Sequence, residues 1–379
     1  MSVAALTCSK SILHVSSAHR ISDGRITKKE AAALARFGYD VTVLALRRAQ
    51  GATLPAALNC IEYDEPCSRA YRFLVRLPWL IWYCAVNRYD AYHLHDPELI
   101  LLGLVLRMLG RRVVYDAHEV YPMVILDRDW IPHFAKPALS SLWRRFEAFL
   151  VRHAHLTIVA HESVRDQYDQ ERVVVVHNYP ILPDIRPLEE KAMPNRPNVV
   201  IHHGDLTRQR GLYSMVEAMG MLDKSSEASL HLAGNATGST ADYLAKLDGS
   251  SRTQFLGWLD GAALADELGN ARAGLVLLHP TNNFLKIRPN KLYEYMAAGL
   301  PVIVSDFPHW REIVESTRCG ILVDPLDCLA IARAIDNILQ NPEDAAAMGR
   351  RGREAAVERF NWQHEQETVS YTHLTLPTN

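Results

Sequence analysis

The chain has 379 residues, more than one ordinary hydrophobic core accommodates, so two domains are expected. Hydrophobic residues make up 48% and charged residues 22%, the balance of a globular protein rather than a disordered or fibrous one. A net charge of −2 argues against a general nucleic-acid binder, and no apolar run reaches the roughly 18 residues of a membrane span. The first twenty residues lack a basic region followed by an uninterrupted apolar core, so no signal peptide is expected. Six cysteines (Cys8, Cys60, Cys67, Cys84, Cys319, Cys328) show no CxxC spacing and read as reduced thiols of a cytoplasmic protein.

Taken in chain order, "ILHVSS" (12–17) reads as a strand, "TKKEAAALARFG" (27–38) as a helix ending at a glycine, and "DVTVLAL" (40–46) as a strand. Further strands are expected at 90–95, 112–118, 156–160 and 173–178, with helices such as 97–110 between them. Residues 1–180 therefore predict a first doubly wound domain, with a parallel sheet covered on both faces. Residues 181–197 are rich in proline and charge without usable periodicity and read as a linker. The alternation restarts with strands at 198–204, 229–234, 253–258, 273–279, 301–306 and 320–323, giving a second domain over 198–367. The fold class expected is α/β, two doubly wound Rossmann-like domains facing across a cleft, with ligands beyond the carboxyl ends of the strands. The closing stretch "VSYTHLTLPTN" (369–379) shows no helical period or capping logic and reads as a non-native tail.

Two stretches carry chemistry. In "PNKLYEYMAAGLPVIVSD" (289–306), Pro289 and Asn290 predict a helix start with Asn290 as cap. Leu292, Tyr295, Met296 and Gly299 would form its buried stripe. Asn290, Lys291 and Glu294 lie off that stripe, near the end whose free N–H groups favour an anion. A phosphate suits that end, and Glu294 suits a pair of sugar hydroxyls. The alternative is an exposed lysine–glutamate pair worth a few tenths of a kcal/mol. In "HHGDLTRQRGLYSMVEAM" (202–219), a strand runs through Gly204 into a loop bearing Arg208 and Arg210, then into a helix near Gly211. Two guanidiniums there would clamp a diphosphate, or else be merely solvated.

These stretches, with "LAGN", "FLGW", "CGILVDP" and "FNW", and the earlier "HLHDPEL" and "YDAHE", resemble the signatures of family-four glycosyltransferases (group 1) with the GT-B fold. The similarity spans the chain to about residue 367 and follows the family's order. It implies a nucleotide-sugar donor, UDP- or GDP-linked, held by Gly204, Arg208, Asn290 and Glu294. It also implies a metal-independent, retaining transfer in which Arg210 and Lys291 stabilise the leaving diphosphate and His95 lies near the transferred sugar. Gly24, Arg25, His118 and Glu119 fall on the acceptor side. Two departures stand out. The family's first glutamate is replaced by Lys286, and an expected phosphate-site arginine by Asp205, for which Arg208, Arg288 or Lys291 would compensate. His93, His95, Asp96, Asp116, His118 and Glu119 are also proper metal ligands by type, although the family needs no metal.

The acceptor implied is a glycan or lipid-linked sugar of cell-surface polysaccharide or glycoconjugate synthesis. Basic and aromatic residues in 68–89 and 136–155 would suit contact with an anionic membrane at its inner face, or equally an ordinary domain core. A nucleotide-sugar epimerase on the same fold and a non-catalytic nucleotide or glycan binder are the rival readings. No nucleic-acid partner is expected.

Overall fold

The computed structural model describes residues 10–374 except 49–51, 129, 169–171, 186, 188–189, 237–243, 245 and 260. It divides into two compact units. One comprises the chain through Asn178 joined by the segment from Gln363, the other Tyr179–Trp362. The proline-rich residues after Tyr179 group with the second unit, where Leu182–Asp184 and Glu190–Asn195 form tight turns and Met193 enters the core.

The first unit carries seven parallel strands. They are β1 (Ser11–Arg20), β2 (Asp40–Leu46), β3 (Asn59–Tyr63), β4 (Ala91–Leu94), β5 (Val113–Ala117), β6 (Leu156–Val159) and β7 (Val173–Val175), in the order β3-β2-β1-β4-β5-β6-β7. The central strands are apolar on both faces, as helices on both sides of a parallel sheet require. The edge strand β3 is half-buried, and its mixed composition gives no strand signal. One turn-rich helix, 24–36, begins where the Asp23 carboxylate accepts from the N–H groups of Arg25 and Ile26.

The second unit has six parallel strands: β8 (Val199–His203), β9 (Ser229–Ala233), β10 (Thr253–Gly257), β11 (Ala273–Val276), β12 (Val302–Ser305) and β13 (Gly320–Val323), in the order β10-β9-β8-β11-β12-β13. Two apolar clusters cover the two faces of this sheet. Both sheets reverse winding direction beside their first strand, between β1 and β4 and between β8 and β11. Ligands of doubly wound sheets bind at such switch points, beyond the strands' carboxyl ends.

The last helix, Trp362–Leu374, continues through Val369 and Ser370, both buried, while residues 375–379 lie outside the described residues. Among the described residues, no helix is long and apolar enough to cross a membrane.

Candidate functional site

In the second unit, β8 ends at His203 and the backbone turns at Gly204, with φ +99°. A methyl group there would lie 2.8 Å from the Lys291 ammonium, so that ammonium sits against the glycine's backbone face. The loop then forms one tight turn, Arg208–Arg210, and enters helix Leu212–Gly220 through Gly211. Gly211 has φ +79°, and a Cβ would fall 1.9 Å from the Leu277 carbonyl oxygen just beyond β11. Gly211→Ala is therefore expected to destabilise the second unit by about 3 kcal/mol or more, through clash and left-handed strain together. Urea unfolding monitored by circular dichroism checks this, and an unchanged midpoint would refute it.

Helix Asn290–Ala298 brings its N-terminus to this loop. Pro289, not Asn290, occupies the cap position, in extended conformation, and Asn290 is the exposed first helical residue. The buried surface is wider than a stripe, because Tyr293, Ala297 and Ala298 are buried too. Gly299 is not part of it but closes the helix, with φ +80°. Lys291 is half-buried. Burial, reinforced by the charge of Arg210 and opposed by Glu294 and Asp205, lowers its pKa to about 8. Glu294, one turn in, lies 3.3 Å from His203 Nε2. Burial dominates His203 and pushes it down to about 4, so at neutral pH an uncharged imidazole lies beside the Glu294 carboxylate. This partnership was missed in the sequence, although the His-His-Gly strand end offered a signal. Arg210 lies 3.2 Å from the Asp205 carboxylate and 5.9 Å from the Phe284 ring centre. Arg208 is exposed on the same turn, Arg288 stands 3.6 Å from Glu312, and Lys286 is exposed. Gly204, Arg208, Arg210, Asn290, Lys291 and Glu294 thus gather at the end of β8 and the start of one helix.

In the first unit, predicted residues cluster at the ends of β4 and β5. His95 is buried, with both ring nitrogens engaged: Nε2 is 2.8 Å from His14 Nδ1 and Nδ1 is 3.1 Å from Asp116. With Asp116 ionised, His95 Nδ1–H donates to it, and the bare Nε2 accepts from His14. His95 thus links His14 to Asp116 and also lines the polar cavity at the strand ends. His118, 2.6 Å from the same carboxylate and 21% exposed, is the histidine whose ring reaches the surface there. Gly24 is exposed, with open space around the position of a Cβ.

Arg25, which the resemblance puts on the acceptor side, is buried. Its guanidinium donates twice to Asp116, at 3.0 and 2.8 Å, and once to the Val176 carbonyl, and meets Glu30 at 3.0 Å. Asp116 is held well below the usual carboxylate range by Arg25 and the two histidines, against the opposing effect of burial. Burial drives Glu30 the other way, and Arg25 only partly offsets it, so the neutral acid is favoured. Asp96 accepts from the Ser17 N–H at 2.6 Å and the Ser16 hydroxyl at 2.7 Å, and pairs with His19 at 2.8 Å. Burial opposes the charge on His19, but Asp96 outweighs it and raises that histidine to about 9.

Among the described residues, two groups bring possible metal-ligand atoms within 4.8 Å of one another: His14, Glu30, His93 and His95, and His95, Asp116 and His118. Asp96 and Glu119 belong to neither. The positive charge between the carboxylates of Glu30 and Asp116 is the Arg25 guanidinium. A polar cavity of about 360 Å³ opens at the strand ends, lined by His19, Asp96, Glu98, His118 and Glu119 among others.

Two all-parallel Rossmann-like domains, the second with an anion-friendly helix start against its first strand, are the arrangement of the GT-B fold. The comparisons agree. The profile for "Glycosyl transferases group 1" matches residues 187–355, and that for "Glycosyl transferase 4-like domain" matches residues 24–179. Glycogen synthase of Mycobacterium tuberculosis is 25% identical over 300 residues, covering 76% of this chain and 69% of that enzyme. Sucrose-phosphate synthase from Thermosynechococcus elongatus shares the fold with a TM-score of 0.75 at 19% identity, covering 97% of this chain and 99% of that one. HepE of Anabaena, solved with UDP, gives a TM-score of 0.71 at 15% identity over 97% of this chain and 100% of that one. The chain belongs to the family-four-like group 1 glycosyltransferases.

Proposed function

We propose that this glycosyltransferase moves a sugar from a UDP- or GDP-linked donor to a glycan or lipid-linked acceptor, with retention and without a metal, in cell-surface polysaccharide or glycoconjugate synthesis. The supporting observation is the Lys291 ammonium, seated against Gly204 at the end of β8 and at the start of helix Asn290–Ala298. HepE, with UDP in its structure, lends the nucleotide. Breaking a sugar–phosphate bond leaves charge on the diphosphate. Lys291, Arg210 and the amides at Asn290 and Lys291 are fixed in place before that charge develops, so they favour the transition state over the ground state. Glu294, beside neutral His203, accepts from the ribose hydroxyls. In the first unit His118 and Glu119 meet the acceptor, while His95, Asp116 and Arg25 hold His118 in position.

Glu294→Ala is expected to weaken donor binding by about 1–3 kcal/mol, the worth of one to two hydrogen bonds to a charged acceptor. Calorimetric titration with UDP and GDP checks this, and unchanged affinity would remove Glu294 from the site. Incubation with labelled nucleotide sugars tests the reaction itself. Nucleotide release that requires an acceptor supports transfer; sugar inversion without release would mean an epimerase; neither outcome would mean a binding protein.

A further inference from the structure

We infer that an apolar groove in the first unit holds the hydrocarbon chain of an anionic, lipid-linked acceptor, whose phosphate meets Arg128 at the junction and whose sugar enters the adjoining polar cavity. The inference rests on the transfer reading and names its acceptor class. The groove, about 510 Å³, lies between helix Tyr121–Asp127 and helix Lys136–His153 and is lined by Ile125, Ile131, Trp143, Leu142 and Phe146 among others. Its walls are kept in place from below. The Ser140 hydroxyl donates to the Pro122 carbonyl at 2.8 Å, and Tyr121 packs on Trp143 with ring centres 4.8 Å apart.

Two residues, Tyr121 and Arg128, line both this groove and the polar cavity that contains His118 and Glu119. Arg128 is exposed at that junction. An apolar channel, then a guanidinium, then a cavity of carboxylates and imidazoles matches the order of groups in a prenyl or acyl phosphate carrying a sugar. A peptide fits less well. Its backbone N–H and C=O groups need partners that an apolar lining does not supply. Trp130 and Leu142 are 63% and 64% exposed beside one another on this face, apolar surface of the kind that marks a binding site.

The test titrates the full chain with farnesyl phosphate below its micellar concentration, with farnesol and inorganic phosphate as separate arms. Tryptophan fluorescence is the readout, since Trp130 and Trp143 line the groove. Farnesyl phosphate should give a saturable change, farnesol should bind about tenfold more weakly, and inorganic phosphate should give no such change. Arg128→Gln should bring farnesyl phosphate down to the level of farnesol and leave farnesol unchanged. Leu142→Gln should weaken both about fivefold. Both positions are exposed, and unaltered circular dichroism with retained nucleotide binding confirms that the variants are folded. Absence of saturation, or variants that leave both affinities unchanged, overturns the inference. So does a Leu142→Gln protein that no longer sediments with phosphatidylglycerol vesicles yet binds farnesyl phosphate as before, because the face would then be a bilayer contact. The titration contains no nucleotide sugar. A protein that binds farnesyl phosphate but no donor would refute the transfer reading and leave the groove standing.

Discussion

Lys291→Ala is expected to lower kcat/KM for sugar transfer by about 10²–10³-fold, the usual cost of removing one fixed donor to a developing anion. The reasoning is local. The ammonium is half-buried against Gly204, so its charge is poorly hydrated and available to a diphosphate. The same burial, with Arg210 close by, gives it a pKa of about 8. It is an ammonium below that pH and an amine above it. Donor affinity should therefore hold on the acid side of pH 8 and decline as pH rises through it. Lys291→Arg keeps a full charge and should flatten that decline, whatever it does to absolute affinity. Nucleotide titrations on either side of pH 8 with wild type and both variants check this. A wild-type profile that stays flat would place the ammonium away from the donor.

Arg25→Met should destabilise the first unit by about 3–5 kcal/mol, because it strands the buried Asp116 carboxylate. Arg25 supplies two of the hydrogen bonds that keep Asp116 ionised, and the Asp116 side chain is buried. Adding Asp116→Asn to Arg25→Met removes the stranded charge and should recover part of the loss. Coupling of this sign is expected of residues in one network. Urea unfolding of the single variants and the double variant measures it. Additive losses would mean that the two side chains act independently.

How much of this could be read from residues alone depends on the range of the interaction. The parallel strands were legible because a sheet covered on both faces needs continuous apolar runs such as "NVVI" and "PVIV". β3 was not, because "NCIEY" sits at an edge and buries little. The helix start near Lys291 was legible from Pro289 and the apolar spacing, though the cap fell one residue earlier than the asparagine suggested. An extended proline can end the preceding chain direction without any side-chain cap. The partners of Arg25 and His95 were hidden for a different reason. Arg25 meets a carboxylate 91 positions away, and His95 meets a histidine 81 positions earlier. Local pattern carries no trace of such pairings, so the burial of a basic residue in a glycine turn cannot be read from its neighbours in the chain. The polar cavity and the groove beside it depend on how two helices lean together, which spacing along the chain does not encode.

The return of the chain at Gln363 has a consequence for anyone recombining these enzymes. His177, near the end of the first pass, receives both its backbone and ring contacts from Glu365, each at 3.0 Å, and Arg36 reaches Gln366. A gene fragment stopping at Asn178 would encode an incomplete first unit, missing the strap that follows its last strand. Exchanging the second unit between relatives is therefore an operation with two junctions, replacing an internal cassette and leaving both outer pieces with their original owner.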